Sequence, residues 1–199
     1  MKKKFSILLL SICIFAGYSA AQTKSNLEVI YSLIDRSVAK ADSATGGKQN
    51  IFLSVTNPQT LDVLKPRVQE AFNSKGYVLL GQKDEAHKSV DYTLVSAKVE
   101  YKDSFSDGLF GGTLLQREIS LAGSFSVETG NGIINPQRFS ETVTDTVNLD
   151  ELNSIENQAL PFTHAPVPSL PLLSNLWEPI IVVGTLIVTV VLLFTVRSK

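Results

Sequence analysis

Two histidines, a few carboxylates, three clustered glycines and one cysteine are most of what this 199-residue chain offers for chemistry. His87 and His164 are the side chains whose ordinary pKa lies near neutrality. His87 follows Asp84 and Glu85 in GQKDEAHKS, a spacing that could present two carboxylates and an imidazole to a metal. A polar run between strands, with no further ordered ligand set, reads instead as a charged turn. His164 lies in a proline-rich stretch and reads as a solvated loop residue. Asp91, Glu100 and Glu118 could in principle share acid and base duties in a hydrolase, yet each sits in a strand-like run where a carboxylate belongs to the wet face. Gly108, Gly111 and Gly112 in SDGLFGGT suggest a phosphate loop. The lysine of GxxxxGK[ST] is missing, however, and an alternating strand follows where a helix N-terminus is needed. The expectation is a protein that is not an enzyme, with no catalytic residue, no cofactor and no metal site.

The two ends of the chain carry clearer information. Residues 1–21 combine Lys2, Lys3 and Lys4, an apolar run from Phe5 to Ala16, and the small residues Ser19, Ala20 and Ala21. These are the three parts of a secretory signal, and cleavage after Ala21 leaves Gln22 as the mature N-terminus. An uncleaved anchor is the alternative, disfavoured because the run is short against the ~20 residues a membrane helix needs. Cys13, the single cysteine, lies inside the apolar run after Ile12; a bacterial lipid-anchor cysteine would follow a small residue at the end of that run. With the signal removed no thiol remains, which excludes disulfides, thiolate metal sites and cysteine catalysis.

At the other end, residues 180–196 contain no charge and are rich in Val, Ile and Leu. Residues 177–197 are therefore expected to form a transmembrane helix, with Trp177 as an interfacial anchor and Arg197 and Lys199 as a positive-inside flank. Residues 198–199 would be a cytoplasmic stub. The expected placement is single-pass and type I in the inner membrane, with the main domain on the periplasmic side and the lipid bilayer as partner of the C-terminal helix. Gly184 has Ile180 and Val188 four positions away, so no GxxxG dimer seam is expected.

Setting aside Lys2, Lys3, Lys4, Arg197 and Lys199 from 18 basic residues, and Glu178 from 19 acidic ones, leaves the exported part near −5. A phosphate backbone would be repelled, so no nucleic-acid partner is expected. Residues 160–176 hold Pro161, Pro166, Pro168 and Pro171 and read as an extended, semi-rigid spacer. That leaves 22–159 as one exported domain.

Within it, Leu27, Ile30, Tyr31, Ile34 and Val38 form a helical stripe, opened by a Ser25/Glu28 capping box. After Gly46-Gly47, 51–55 reads as a central strand, apolar on both faces. Leu61, Leu64, Val68, Ala71 and Phe72 keep helical spacing up to Gly76, with Pro66 expected to kink this second helix or split off its first turn. Residues 77–80 give another strand, so 51–80 suggests a βαβ crossover with parallel pairing. Residues 90–101 are strand-like. Leu115, Ile119, Leu121, Phe125 and Val127 alternate with polar residues, Gly130-Asn131-Gly132 marks a tight turn, and Phe139, Val143 and Val147 share a face of a last strand. Residues 150–159 suggest a short helix. The fold class is α+β: a small sheet with one βαβ crossover followed by an antiparallel meander, with two main helices packed on the sheet and a C-terminal membrane helix.

The order of IFLSV, LKPRVQEAFNSKGYVLL and VDYTLVSAKVEY, with Gly76-Tyr77 closing a helix and Asp91-Tyr92 in the next strand, resembles periplasmic modules of TolB-N-terminal-like architecture. These include penicillin-binding-protein activator, flagellar accessory and curli-secretion lipoproteins. The resemblance covers about 80 residues, and the chain departs from it by lacking a lipid-anchor motif and by its apolar C-terminus. The tether, the spacer, the small α+β domain and the lack of a convincing catalytic set point to a non-enzymatic envelope accessory protein that binds another envelope protein or complex. A periplasmic module for a small ligand or polysaccharide, with its site on the sheet, is the alternative. Candidate partner-binding residues are Phe105, Leu109 and Phe110 in KDSFSDGLFGGT, which either fold back on the core or form a docking tip. Intact-mass measurement of the protein purified from membranes is expected to show a chain beginning at Gln22; retention of residues 1–21 would instead establish an uncleaved anchor.

Overall fold

The computed structural model describes residues 23–47, 50–83, 86, 88–107, 111–129, 132–169 and 177–196. The expected signal (1–21), Asp84, Glu85, His87, Leu109, Phe110, Arg197 and Lys199 lie outside them, as does the side chain of Trp177.

Helix α1 (Asn26–Thr45) begins with the capping box read from the sequence: Ser25 Oγ accepts from the Glu28 backbone N–H, and Glu28 accepts from the Ser25 N–H at 2.8 Å. It stops at Gly46, whose φ of 68° is the left-handed conformation that a side chain disfavours. The buried stripe is broader than the five residues of the sequence pattern. Ile30, Ile34 and Val38 are buried and Leu27 and Tyr31 half-buried, and Val29, Leu33, Ser37 and Ala41 are buried as well. Strand β1 (Asn50–Thr56) follows. Pro66 then splits the second helical pattern: Gln59–Leu64 is a 3₁₀ helix and α2 (Lys65–Ser74) starts with the proline in its first turn, where no N–H is required. Strand β2 (Val78–Leu80) returns parallel to β1.

Three long strands complete the sheet: β3 (Lys88–Ser106), β4 (Thr113–Thr129) and β5 (Gly132–Asn148). The order is β2-β1-β3-β4-β5, antiparallel from β3 onward. One pairing adds to the expected meander: β3 lies parallel to β1, with Val90 beside Leu53 and Tyr92 beside Val55. This makes β1 an interior strand, which explains why its sequence is apolar on both faces. A 3₁₀ turn (Leu149–Glu151), α3 (Leu152–Ile155) and a second 3₁₀ turn (Pro161–Thr163) lead out of the domain. The proline-rich stretch thus begins packed, with Phe162 and Ala165 against the core and Thr163 buried.

The sheet has one covered face. Odd-numbered residues of β4 from Leu115 to Val127 are buried beneath the helices, whereas Gln116, Glu118, Ser120, Ala122, Ser124 and Ser126 keep contact with solvent. Each fully buried Ile, Leu or Val of the core, such as Ile30, Leu33, Ile51, Leu64 and Ile119, contributes about 1.5–3 kcal/mol by leaving water. Phe72, Tyr77, Tyr92 and Phe139 form a chain of aromatic contacts under the helices, with Tyr92 stacked on Phe139 at a 5.4 Å ring separation. Phe139 pairs across β4 with Gly123. A Cβ on Gly123 would lie 2.5 Å from the Phe139 ring and 2.2 Å from the Thr93 carbonyl oxygen, so only glycine lets the ring cross β4 to reach Tyr92.

The alternation on β4 is interrupted at Arg117, which is 1% exposed. Its Nε and Nη2 donate to the two carboxylate oxygens of Asp145 at 2.8 and 2.5 Å, and its Nη1 donates to Asn26 Oδ1 and the Lys24 carbonyl. Asn26 in turn donates to Tyr101 Oη and to the Thr163 carbonyl, and Tyr101 donates to Glu156. The start of α1, three strands and the outgoing tail thus meet at one buried guanidinium.

Helix α4 (Trp177–Val196) forms at the place expected for the C-terminal helix. Among the described residues, however, no helix is long and apolar enough to cross a membrane. The described side chains of α4 run from 180 to 195, or ~24 Å at 1.5 Å per residue against a hydrocarbon core of ~30 Å. A transmembrane helix over 177–197 is therefore not supported by the described residues, which form an apolar helix whose described side chains the rest of the chain leaves uncovered.

Replacing Arg117 by Ala is expected to lower stability by about 3–5 kcal/mol, because Asp145 and Asn26 lose a buried partner. A double-mutant cycle with Asp145→Ala, read by urea unfolding, should give a coupling of about 1 kcal/mol or more; additivity of the two changes would refute the pairing.

Candidate functional site

Uncovered sheet faces in antiparallel meanders are flat unless the backbone breaks the pleat. Here it does. The β3–β4 register shifts between Leu94 and Ser96, leaving Val95 as an extra residue opposite Gly123 and Ala122. The bulged Val95 is 60% exposed on the open face. Next to it β4 carries only small residues, Ala122, Gly123 and Ser124, and β5 supplies Arg138, Phe139 and Ser140. These seven residues line a shallow groove of 670 Å³, within the ~300–1,000 Å³ of small-molecule sites.

Register places the groove's polar groups. Thr93, Ser124 and Arg138 form one row across β3, β4 and β5; Ala122 and Ser140 form the adjacent row. Among the described residues the side chains of Arg138, Ser124 and Ser140 make no hydrogen bond and no ion pair. Other cations of this sheet are engaged: Lys98 with Glu100, Lys102 with Glu118 at 2.6 Å, and Arg117 with Asp145. The groove can therefore offer a guanidinium fork, two hydroxyls and an apolar floor.

Of the carboxylates singled out from sequence, the structure brings Glu100 and Glu118 together and leaves Asp91 apart. Glu100 and Glu118 face each other across β3 and β4, separated electrostatically by Lys98 and Lys102. Lys98 holds the Glu100 carboxyl below its ordinary range, and Glu118 raises the Lys102 ammonium. Asp91 pairs with Ser126 well along the strands from both. His164 is not free: its Nε2 lies 2.7 Å from the Asn157 carbonyl and its Nδ1 3.2 Å from Glu156. Tyr101, beside it, is pushed up to about 12, first by burial and further by Glu156, with the Asn26 hydrogen bond opposing; at neutral pH it is a hydroxyl donor to Glu156.

Phe105 is 43% exposed near the end of β3, so it is not folded into the core. Its neighbour Ser104 meets the Ser169 carbonyl at 3.4 Å, which places the β3–β4 hairpin at the end of the sheet where the tail departs. None of the groove residues was singled out as a site from the sequence. A lone arginine in PQRFSET has nothing to mark it, and the bulge that exposes the floor is a product of pairing. The signal that was present is Gly123, a glycine on the buried face of a strand.

No family model matches the chain, and no curated protein matches it. The resemblance to TolB-N-terminal-like modules therefore remains one of element order. Among solved structures, two are similar over part of the chain. A minor lipoprotein from Acinetobacter baumannii is 15% identical with a TM-score of 0.33, over 54% of this chain and 72% of that one. Rare lipoprotein B from Shewanella oneidensis is 14% identical with a TM-score of 0.30, over 51% and 69%. At these values neither likeness bears on activity, partner or location.

Because Phe105 lies outside the core, Phe105→Ser is expected to change unfolding free energy by no more than about 0.5 kcal/mol, measured by urea denaturation. A loss of about 2 kcal/mol or more would show that the ring is packed.

Proposed function

We propose that this chain is a non-enzymatic accessory protein of the bacterial envelope, exported by its N-terminal segment and held at the inner membrane by α4 in a single-pass, type I arrangement. The observation that carries the reading is α4 itself. From Ile180 to Phe194 its large apolar side chains are exposed, and the helix has no charged residue over 180–196. Leaving such a surface in water is costly at about 25 cal/mol per Å²; lipid removes that cost, and the basic residues Arg197 and Lys199 favour the cytoplasmic side. With 177–179 and 196, whose side chains lie outside the described ones, the helix reaches ~30 Å, the thickness of the hydrocarbon core.

The domain's task in this reading is to bind another envelope protein. The start of α1, the outgoing tail at 163–169 and the end of β3 lie at one end of the sheet, since Asn26 bonds the Thr163 carbonyl and Ser104 bonds that of Ser169. From Ser169 to Trp177 the chain can reach at most ~29 Å, at no more than ~3.6 Å per residue. The exposed Phe105 is thereby kept close to the membrane surface, and its partner is a protein held in or at the same membrane. The groups available for catalysis support no reaction in this reading: Glu100 and Glu118 are neutralised by Lys98 and Lys102, and Asp91 lies away from both. A second reading, a module for a small ligand, is favoured by the groove around Arg138.

Two tests follow. Protease added to intact spheroplasts is expected to remove the domain; full protection would reject the orientation. A photo-crosslinking residue at position 105 is expected to capture a discrete envelope protein that the same residue at Glu128, at the far end of the sheet, does not. Equal capture at both positions, or none at 105, would reject the hairpin as the contact.

A further inference from the structure

We propose that the groove between β3, β4 and β5 binds a small molecule through a single oxyanion group, carboxylate or phosphate, held by Arg138, Ser124 and Ser140. The proposal deepens the ligand-module reading and does not depend on the tether or on a partner at Phe105.

The groove is walled by Val95 and Arg138 and floored by Ala122, the Gly123 backbone and Ser124. A guanidinium presents its donors as a planar fork that matches the two oxygens of a carboxylate or phosphate. Arg138 is the cation of this face left without a carboxylate among the described residues, whereas Lys98 and Lys102 are neutralised by Glu100 and Glu118. Asp91 is the carboxylate on the open face nearest in register. It lies two strands away and two residues further along, beside Ser126, so ~10 Å across and ~7 Å along the strands separate their backbones. Glu141, the acid closest in sequence, points to the helix face and pairs with Lys40. The field in the groove is therefore positive within a domain whose net charge is negative.

Ser124 stands in the same row as Arg138, and Ser140 is two residues beyond it on the same face of β5. Both hydroxyls can donate to an oxyanion whose remaining lone pairs the guanidinium does not reach. Val95 and Ala122 offer apolar contact to the rest of the molecule. The volume suits a body about the size of one sugar or a small acid. The source of the oxyanion, a sugar acid or free phosphate, is decided by which probe binds.

The test uses the full-length protein in detergent at constant ionic strength, with inorganic phosphate, glucuronate and neutral glucose as probes and the thermal midpoint as readout. Phosphate or glucuronate is expected to raise the midpoint in a saturable way, with glucose without effect. Arg138→Gln should leave the midpoint of the unliganded protein unchanged and weaken binding about tenfold or more, since it removes a bidentate charge-assisted pair. Ser124→Ala combined with Ser140→Ala should weaken it less. A larger effect of glucuronate identifies a sugar acid, a larger effect of phosphate a phosphate compound, and equal effects the oxyanion alone. The proposal is overturned if neither anion raises the midpoint, if glucose does so equally, or if Arg138→Gln responds as the wild type does.

Discussion

A guanidinium out of water needs every donor answered, and Arg117 is the residue on which that demand falls in this fold. A bare buried charge would cost several kcal/mol, so the surrounding backbone is obliged to bring it Asp145 from β5, Asn26 from the first turn of α1 and the Lys24 carbonyl. Asn26, fixed in that role, has its amide left to hold the Thr163 carbonyl and Tyr101. The register of β4 against β5, the docking of α1 and the path of the tail are therefore not independent choices. Apolar burial supplies most of the free energy, but it is non-directional; the buried polar network sets which ends of the elements lie together.

The same end of the sheet gathers the parts that matter for placement. The start of α1, the outgoing tail and the end of β3 all meet there, while Gly46, β2 and the Thr129–Gly132 pair of β4 and β5 lie at the other end. Exposure of Phe105 gains meaning from this geometry, since the ring is held beside the tail and not at the distal tip.

One-sided burial shapes the rest. The helix face is a continuous core in which Gly123 lets the Phe139 ring lie across β4 against Tyr92. The open face is a field of Ser and Thr with paired Lys and Glu, and the bulge at Val95 is the place where it becomes concave. The residue that closes one face and the feature that hollows the other thus occupy the same short stretch of β3 and β4. A change at Gly123 would be felt on both.

Much of the fold was legible in the chain because local periodicity reports burial directly. The Ser25/Glu28 box started α1, the alternation from Leu115 to Val127 marked β4 with its correct faces, Pro66 broke the second helix where expected, and the 51–80 crossover proved parallel. The length of β3, its parallel partner β1 and the packing of Phe162 and Thr163 were not legible, since each depends on contacts between segments far apart in sequence. Arg117 illustrates the limit: an arginine at an inward position of β4 looks like a flaw in the pattern until Asp145 and Asn26 arrive from elsewhere. The same holds for the groove, whose arginine and serines are ordinary surface residues in the sequence. Composition and periodicity by themselves determined the α+β class, the apolar ends and which faces are wet, because those follow from side-chain hydrophobicity at fixed spacing. Only the tertiary structure decided which polar groups meet, because hydrogen bonds and strand register join residues that no local pattern connects.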